Sequence, residues 1–175
     1  MPKSESIREC YGPWAVIAGA SEGIGRAFAR QLSAAGVQSI LIARRQGPLT
    51  ALYDEILAVN GIECVIATID LSASDAFEQI VALVGSREVG LFICNAGADP
   101  NGAHFLDRDV DQWINLVNRN VITMMRCCHH FAGRMRKRGR GGLLLVGSGA
   151  CYGGGSFMAT YSALKAFDLC FAESL

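Results

Sequence analysis

The sequence predicts an α/β fold, a doubly wound parallel sheet built as a single domain over residues 1–175. Three observations predict it. Short apolar runs of strand length recur along the chain, amphipathic helical patterns separate them, and a glycine-rich turn joins the first run to the first helix. A chain of 175 residues suits one domain with its own core, and neither an internal repeat nor a Pro- or Ser-rich linker divides it.

Trp14–Ala18 (WAVIA) is the first run, and its unbroken apolar character suits a strand covered on both faces by helices. Ile24, Ala27, Phe28, Leu32 and Ala35 then form one helical stripe, which stops at Gly36. Ser39–Ala43 (SILIA) is the second strand. Leu49, Leu52, Ile56 and Val59 give the second helix, with Pro48 at its start and Gly61 just past its end. Ile62–Thr68 is the third strand, and Phe77, Ile80, Val81 and Val84 mark the third helix, with Ser72 or Ser74 as its N-cap. Leu91–Cys94 (LFIC) is the fourth strand. A longer helix begins with Trp113, Val117, Val121 and Met124. Leu143–Val146 (LLLV) is the fifth strand, and Tyr161, Leu164, Phe167 and Phe171 form the last helical stripe.

Composition excludes several classes. With 16 basic and 16 acidic side chains the formal charge is zero, so no general field favours nucleic acid or acidic membranes. Hydrophobic residues at 51% and charged ones at 18% argue against disorder, and no apolar run is long enough to span a bilayer. Met1–Cys10 carries Lys3, Glu5, Arg8 and Glu9 without an apolar stretch, which predicts no secretory signal. The seven cysteines sit mostly in apolar segments and read as buried thiols of a reducing, cytoplasmic compartment. In Cys127-Cys128-His129-His130 only Cys127 and His130 share a helix face and no second ligand pair follows, so no metal is expected. The cations between Arg134 and Arg140 fall at a helix end and its loop, where they complement the dipole, so nucleic acid is not an expected partner. His104 stands alone in a loop, a position open to substrate contact.

The turn after WAVIA is Gly19-Ala-Ser21-Glu22-Gly23-Ile24-Gly25. A strand entering a helix through glycines presents backbone N–H groups and a positive dipole end, which suits a pyrophosphate. At the end of the second strand, where an acid would hold the 2′-hydroxyl of NAD, stand Arg44 and Arg45. Two guanidinium groups there suit a 2′-phosphate, so NADP is favoured over NAD. Tyr161 and Lys165 lie one turn apart on one helix face, and an ammonium beside a phenol favours the phenolate. Ser148 follows the fifth strand, at the carboxyl ends where open α/β sheets bind ligands.

From Gly12 to its last residue the sequence resembles the short-chain dehydrogenase/reductase family. Gly19-Ala-Ser-Glu-Gly23-Ile-Gly25 is similar to the family's cofactor turn, Cys94-Asn95-Ala96-Gly97 to its NNAG segment, and Tyr161-Ser-Ala-Leu-Lys165 to its YxxxK. Ser148 stands 13 residues before the tyrosine, as the family's serine does. The resemblance implies a Rossmann-like sheet of order 3-2-1-4-5 and hydride transfer between a nicotinamide and a small-molecule carbonyl or alcohol, of ketone, steroid or 3-oxoacyl type. Tyr161 would be the general acid/base, Lys165 would support it and hold the nicotinamide ribose, and Ser148 would polarise the carbonyl. Asn118 and Asn120 both match the family's asparagine; the distance to Met135, taken as that helix's end, favours Asn120, holding a water next to Lys165. Asp70, Leu71 and Ala96 would sit against the adenine. Glu22 occupies a place where members preferring NADP often carry a base, which opposes the pull of Arg44 and Arg45. Members commonly form homodimers or homotetramers through the helices that here begin near Val110 and Ala159. Members also continue through two further strands and a substrate loop, so the 175 residues are expected to lack the last strands, to leave the fifth strand as an open edge, and to bind cofactor with little turnover. A regulatory nucleotide-binding protein on the same fold is the rival reading.

Overall fold

The computed structural model describes residues 6–99 and 102–175, so the first half of the segment read for a secretory signal, Met1–Glu5, lies outside the described residues. A short helix, α1 (Ile7–Tyr11), comes first. Ser6 Oγ accepts from the Glu9 N–H at 3.2 Å while Glu9 Oε2 accepts from the Ser6 N–H at 2.7 Å, a reciprocal cap. Strands and helices then alternate: β1 (Trp14–Ala18), α2 (Gly23–Ala34), β2 (Gln38–Ala43), α3 (Gln46–Asn60), β3 (Val65–Thr68), α4 (Ala76–Val84) and β4 (Val89–Cys94). The second half holds α5 (Val110–Val117), a π-helical turn (Asn118–Ile122), α6 (Thr123–Arg138), β5 (Gly142–Leu145) and α7 (Ala159–Ser174).

The five strands form one parallel sheet in the order β3-β2-β1-β4-β5, as predicted, with β5 at one edge. Its register levels the strand ends. Ala18 lies beside Ile42 and Cys94, and Cys94 beside Leu145, so the loops after β1, β2, β4 and β5 emerge on one rim.

Side-chain alternation along each strand sends apolar groups to two separate cores. Val16, Ile40 and Phe92 pack with Ile80 of α4 and with Cys127, Phe131 and Met135 of α6. Ile17, Leu41 and Ile93 pack on the other face with Ala29 and Leu32 of α2 and Leu49, Leu52 and Ile56 of α3. Complete burial of each such residue stabilises the fold by about 1.5–3 kcal/mol.

Three expectations are corrected. The third strand begins at Val65 and not Ile62, because the left-handed cap at Gly61 leaves the chain extended before it can pair with Ile40. Neither Ser72 nor Ser74 caps α4; its N-cap is Asp75, and Ser72 donates from N–H and Oγ to Asp70 Oδ1 at 3.0 and 2.8 Å. The helix expected to end at Met135 runs on to Arg138 and stops at Gly139, with Arg136, Lys137 and Arg138 in its last turn. Arg138 donates to the Val89 carbonyl at 2.6 Å and Arg140 pairs with Glu88, so part of the cationic cluster serves the fold.

Candidate active site

At the rim, the turn after β1 meets the segment after β4. The Gly19 and Ala20 N–H groups donate to the Ile42 carbonyl at 2.8 and 3.0 Å, and the Asn95 and Ala96 N–H groups donate to the Ala18 carbonyl at 2.9 and 2.8 Å. Asn95 Nδ2 donates to the Gly19 carbonyl at 2.8 Å and ties the two segments together. Gly19 has φ +88°, and a Cβ there would lie 2.6 Å from the Ala96 nitrogen, so only glycine fits. Glu22, the N-cap of α2, makes no side-chain cap bond, so the helix start faces the rim without a carboxylate over it.

Between these segments and the end of β2 lies a cleft of about 280 Å³. Of the predicted cofactor residues, Gly19, Ser21 and Glu22 form one wall, Arg44 and Arg45 another, and Leu71 with Asn95, Ala96 and Gly97 the floor. Gly23, Ile24 and Gly25 begin α2 and do not line it; Ile24 is exposed and Gly25 is a packing residue against the Gly19 carbonyl. Asp70 lines an adjoining recess that shares Arg44 and Arg119 with the cleft. Burial alone would raise the Asp70 pKa, but the Ser72 hydrogen bonds and the nearby Arg44 and Arg119 charges outweigh it and hold the carboxyl below its ordinary value. Arg45 is ion-paired with Glu22, both largely exposed, so the carboxylate expected to oppose a phosphate is partnered by one of the two arginines.

The residues expected to do chemistry gather beside that floor. Asn120, in the π turn, is buried; its Nδ2 donates to the Leu116 carbonyl at 2.9 Å, while Oδ1 has no hydrogen-bond partner among the described residues. A Cβ on Gly97 would fall 2.1 Å from that Oδ1 and 3.3 Å from Lys165 Nζ, so Gly97, Asn120 and Lys165 meet at one point. Lys165 Nζ donates to the Val146 carbonyl at 3.2 Å and to Asp168 Oδ2 at 2.8 Å, and lies 5.9 Å from the Tyr161 ring centroid. Tyr161 is half-buried against Trp113, Leu116 and Leu164. Ser148 lines a recess of about 380 Å³ together with Lys165 and Asp168, and its Oγ accepts from the Ala150 N–H at 3.2 Å.

Sequence reasoning missed Arg119 and Asp168. Arg119 is the residue before Asn120, and its place in the cleft wall follows only from the wide π turn. Asp168 is an acid inside the apolar stripe of α7, three residues after Lys165, and that spacing was a readable sign. His104 packs against Phe157, ring centroids 4.3 Å apart and planes tilted by 38°, which joins its loop to the segment before α7. Cys127 and Cys128 are buried in the core, their thiol pKa values pushed up to about 12 by burial first and by neighbouring charge second.

Residues 13–175 match the family model described as short chain dehydrogenase. The chain belongs to that family. Among its relatives, a very-long-chain 3-oxoacyl-CoA reductase of Laccaria bicolor is 35% identical over 94% of this chain and 49% of its own length. A solved 7β-hydroxysteroid dehydrogenase superimposes with a TM-score of 0.93 at 29% identity, covering 97% of this chain and 67% of that one. A solved metagenomic short-chain oxidoreductase in complex with NADP gives a TM-score of 0.86 at 30% identity, covering 94% of this chain and 74% of the other. This short-chain dehydrogenase chain spans between 49% and 64% of the length of the first curated relatives it matches. Among the described residues, no helix is long and apolar enough to cross a membrane.

Proposed function

We propose that the chain serves hydride transfer between NADP(H) and a small-molecule carbonyl or alcohol of ketone, steroid or 3-oxoacyl type, with Tyr161 as general acid/base. The observation that carries this reading is the meeting of Gly97, Asn120 and Lys165 between the cleft and Tyr161. A protein that only binds a nucleotide has no use for a buried ammonium one turn from a phenol.

The cleft fits a dinucleotide: a glycine turn that admits no side chain at Gly19, Ser21 and Arg44 in its walls, and, beside Gly97 of its floor, a buried Asn120 Oδ1 with no partner among the described residues. When bound, the cofactor supplies or accepts the hydride. Arg44, in the walls of both the cleft and the adjoining recess, is the residue for a 2′-phosphate, which favours NADP over NAD. Tyr161, with the Lys165 ammonium 5.9 Å from its ring centroid, moves the proton at the substrate oxygen. Ser148 holds that oxygen as a donor. The substrate class rests on the names of the relatives, a 3-oxoacyl-CoA reductase and 7β-hydroxysteroid dehydrogenases.

Self-association as a homodimer or homotetramer through α5 and α7 is part of the reading; Val110 and Ile114 are exposed on α5 at 59% and 49%. The free cysteines suit a reducing, cytoplasmic location.

Tyr161→Phe tests the reading. Carbonyl-dependent NADPH oxidation is expected to fall by about a hundredfold or more, with NADPH affinity within a factor of about three. Unchanged turnover in Tyr161→Phe refutes it.

A further inference from the structure

We propose that Asp168 is a positioning residue: it is the fixed counter-ion of Lys165 and aims the ammonium so that one N–H is left for the cofactor. This inference rests on the role given to Lys165 above. Both side chains are buried, Lys165 at 5% and Asp168 at 6% exposure, and they meet at 2.8 Å across one turn of α7. Charges so far removed from water persist only when paired and hydrogen-bonded. An ammonium has three N–H donors. One goes to Asp168 Oδ2 and one to the carbonyl of Val146, the residue after β5. The third is left for the side where a Gly97 Cβ would stand 3.3 Å from Nζ, at the edge of the cofactor cleft.

The surroundings supply no other cation or carboxylate in contact with the pair among the described residues. From β4 comes the Cys94 thiol, its pKa raised first by burial and further by Cys128. From α6 comes Cys128, from the π turn the amide of Asn120, and from α7 itself the Tyr161 phenol. Asp168 Oδ1 has no partner among the described residues, so the carboxylate commits one oxygen to the lysine. Without Asp168, the ammonium keeps only a carbonyl and is free to swing off the Val146 direction.

The sequence has three lysines, and Lys137 is exposed on α6, so a 13C-labelled lysine sample reports Lys165 with an internal control. The experiment follows the Lys165 Cε resonance against pH in the 175-residue chain and its variants, together with NADPH binding by fluorescence. Asp168→Asn keeps the shape and removes the charge; Asp168→Ser, smaller and able to admit water, covers disruption by the amide. The expected result is a Lys165 Cε resonance moved clear of its parent position, with the Lys137 resonance unmoved. NADPH affinity weakens by about tenfold, in step with the lost aim of the third donor. A Lys165 Cε resonance at its parent position in a folded variant overturns the proposal, since a purely structural acid would give that result. Loss of a cooperative melt in both variants also overturns it, because Asp168 would then determine the fold and not the aim of one side chain. Lys165→Met separates the two levels: unaltered NADPH binding in that variant sinks the role assigned to Lys165, whatever Asp168 does.

Discussion

Replacing Gly25 by alanine places a methyl group where the structure has a carbonyl. The new Cβ would stand 2.0 Å from the Gly19 carbonyl oxygen and 2.7 Å from Asn95 Nδ2, against a nearest approach of about 3.0 Å for real Cβ atoms. The shortfall is about 1 Å, and the nearest atom is backbone, so no rotamer relieves it. The turn must open and the Asn95 Nδ2 bond to the Gly19 carbonyl, now 2.8 Å, must lengthen or break. Overpacking costs about 1–3 kcal/mol and a lost hydrogen bond about 1 kcal/mol, so a total near 3 kcal/mol is expected. For a chain of this size each kcal/mol moves the melting temperature by about 2–4 °C, which puts the drop at roughly 6–12 °C. Gly133→Ala is the control: Gly133 is exposed in α6 with nothing within 4 Å of its Cβ position, so alanine there raises the melt by a few degrees. A Gly25→Ala melt within about 1 °C of the parent refutes the close-approach reasoning.

Arg44→Ala is expected to weaken NADPH binding by about tenfold to a hundredfold and NADH binding far less, because a charge-assisted bond is worth about 1.5–3 kcal/mol; fluorescence titration with both cofactors checks it. In Glu22→Gln, Arg45 loses its ion-pair partner, and NADPH affinity should rise a few-fold in the same titration. Asp70 gives an acid dependence. Its pKa is held below the ordinary 3.8, so its contribution to stability is whole above about pH 4 and is lost as pH falls through the lowered native value. Asp70→Asn should flatten the fall in melting temperature below about pH 4, read by melts in steps from about pH 5 to about pH 2.5.

The strands were legible because each is a short apolar run, and the inner ones, such as LFIC and SILIA, are buried on both sides as covered parallel strands are. The turn between β1 and α2 was legible because its glycines have a strand before them and a helix after them. Other features depended on what the chain meets in space. The start of β3 was set in space: after the left-handed Gly61 cap the chain pairs with β2 only from Val65, opposite Ile40. Ser72 was read as a cap since serine before a helical stripe usually is one, but Asp70 offered it a stronger, charged acceptor. The cap of α1 was readable as Ser6-Ile-Arg-Glu9 and was passed over because the segment has no apolar stripe. Asp168 was hidden for the opposite reason: a single acid in an apolar stripe looks like surface until its lysine partner is found at 2.8 Å.

The π turn between α5 and α6 divides one long helix into two with separate duties. Its wide bond, from the Thr123 N–H to the Asn118 carbonyl five residues back, takes up one residue more than an α-turn would. That extra residue works like a change of gear. Before it, Trp113 and Leu116 face α7 and Tyr161; after it, Met124, Cys127 and Phe131 face the sheet. Thr123, the first residue past the turn, donates to the Leu71 carbonyl at 2.9 Å and locks the new phase to the cleft floor. Shortening this segment by one residue would therefore let it close to an ordinary α-turn and remove the wide loop that carries Asn120. A one-residue deletion here is consequently a heavier lesion at the rim than most substitutions, because it withdraws Asn120 from Gly97 and Lys165 in a single step.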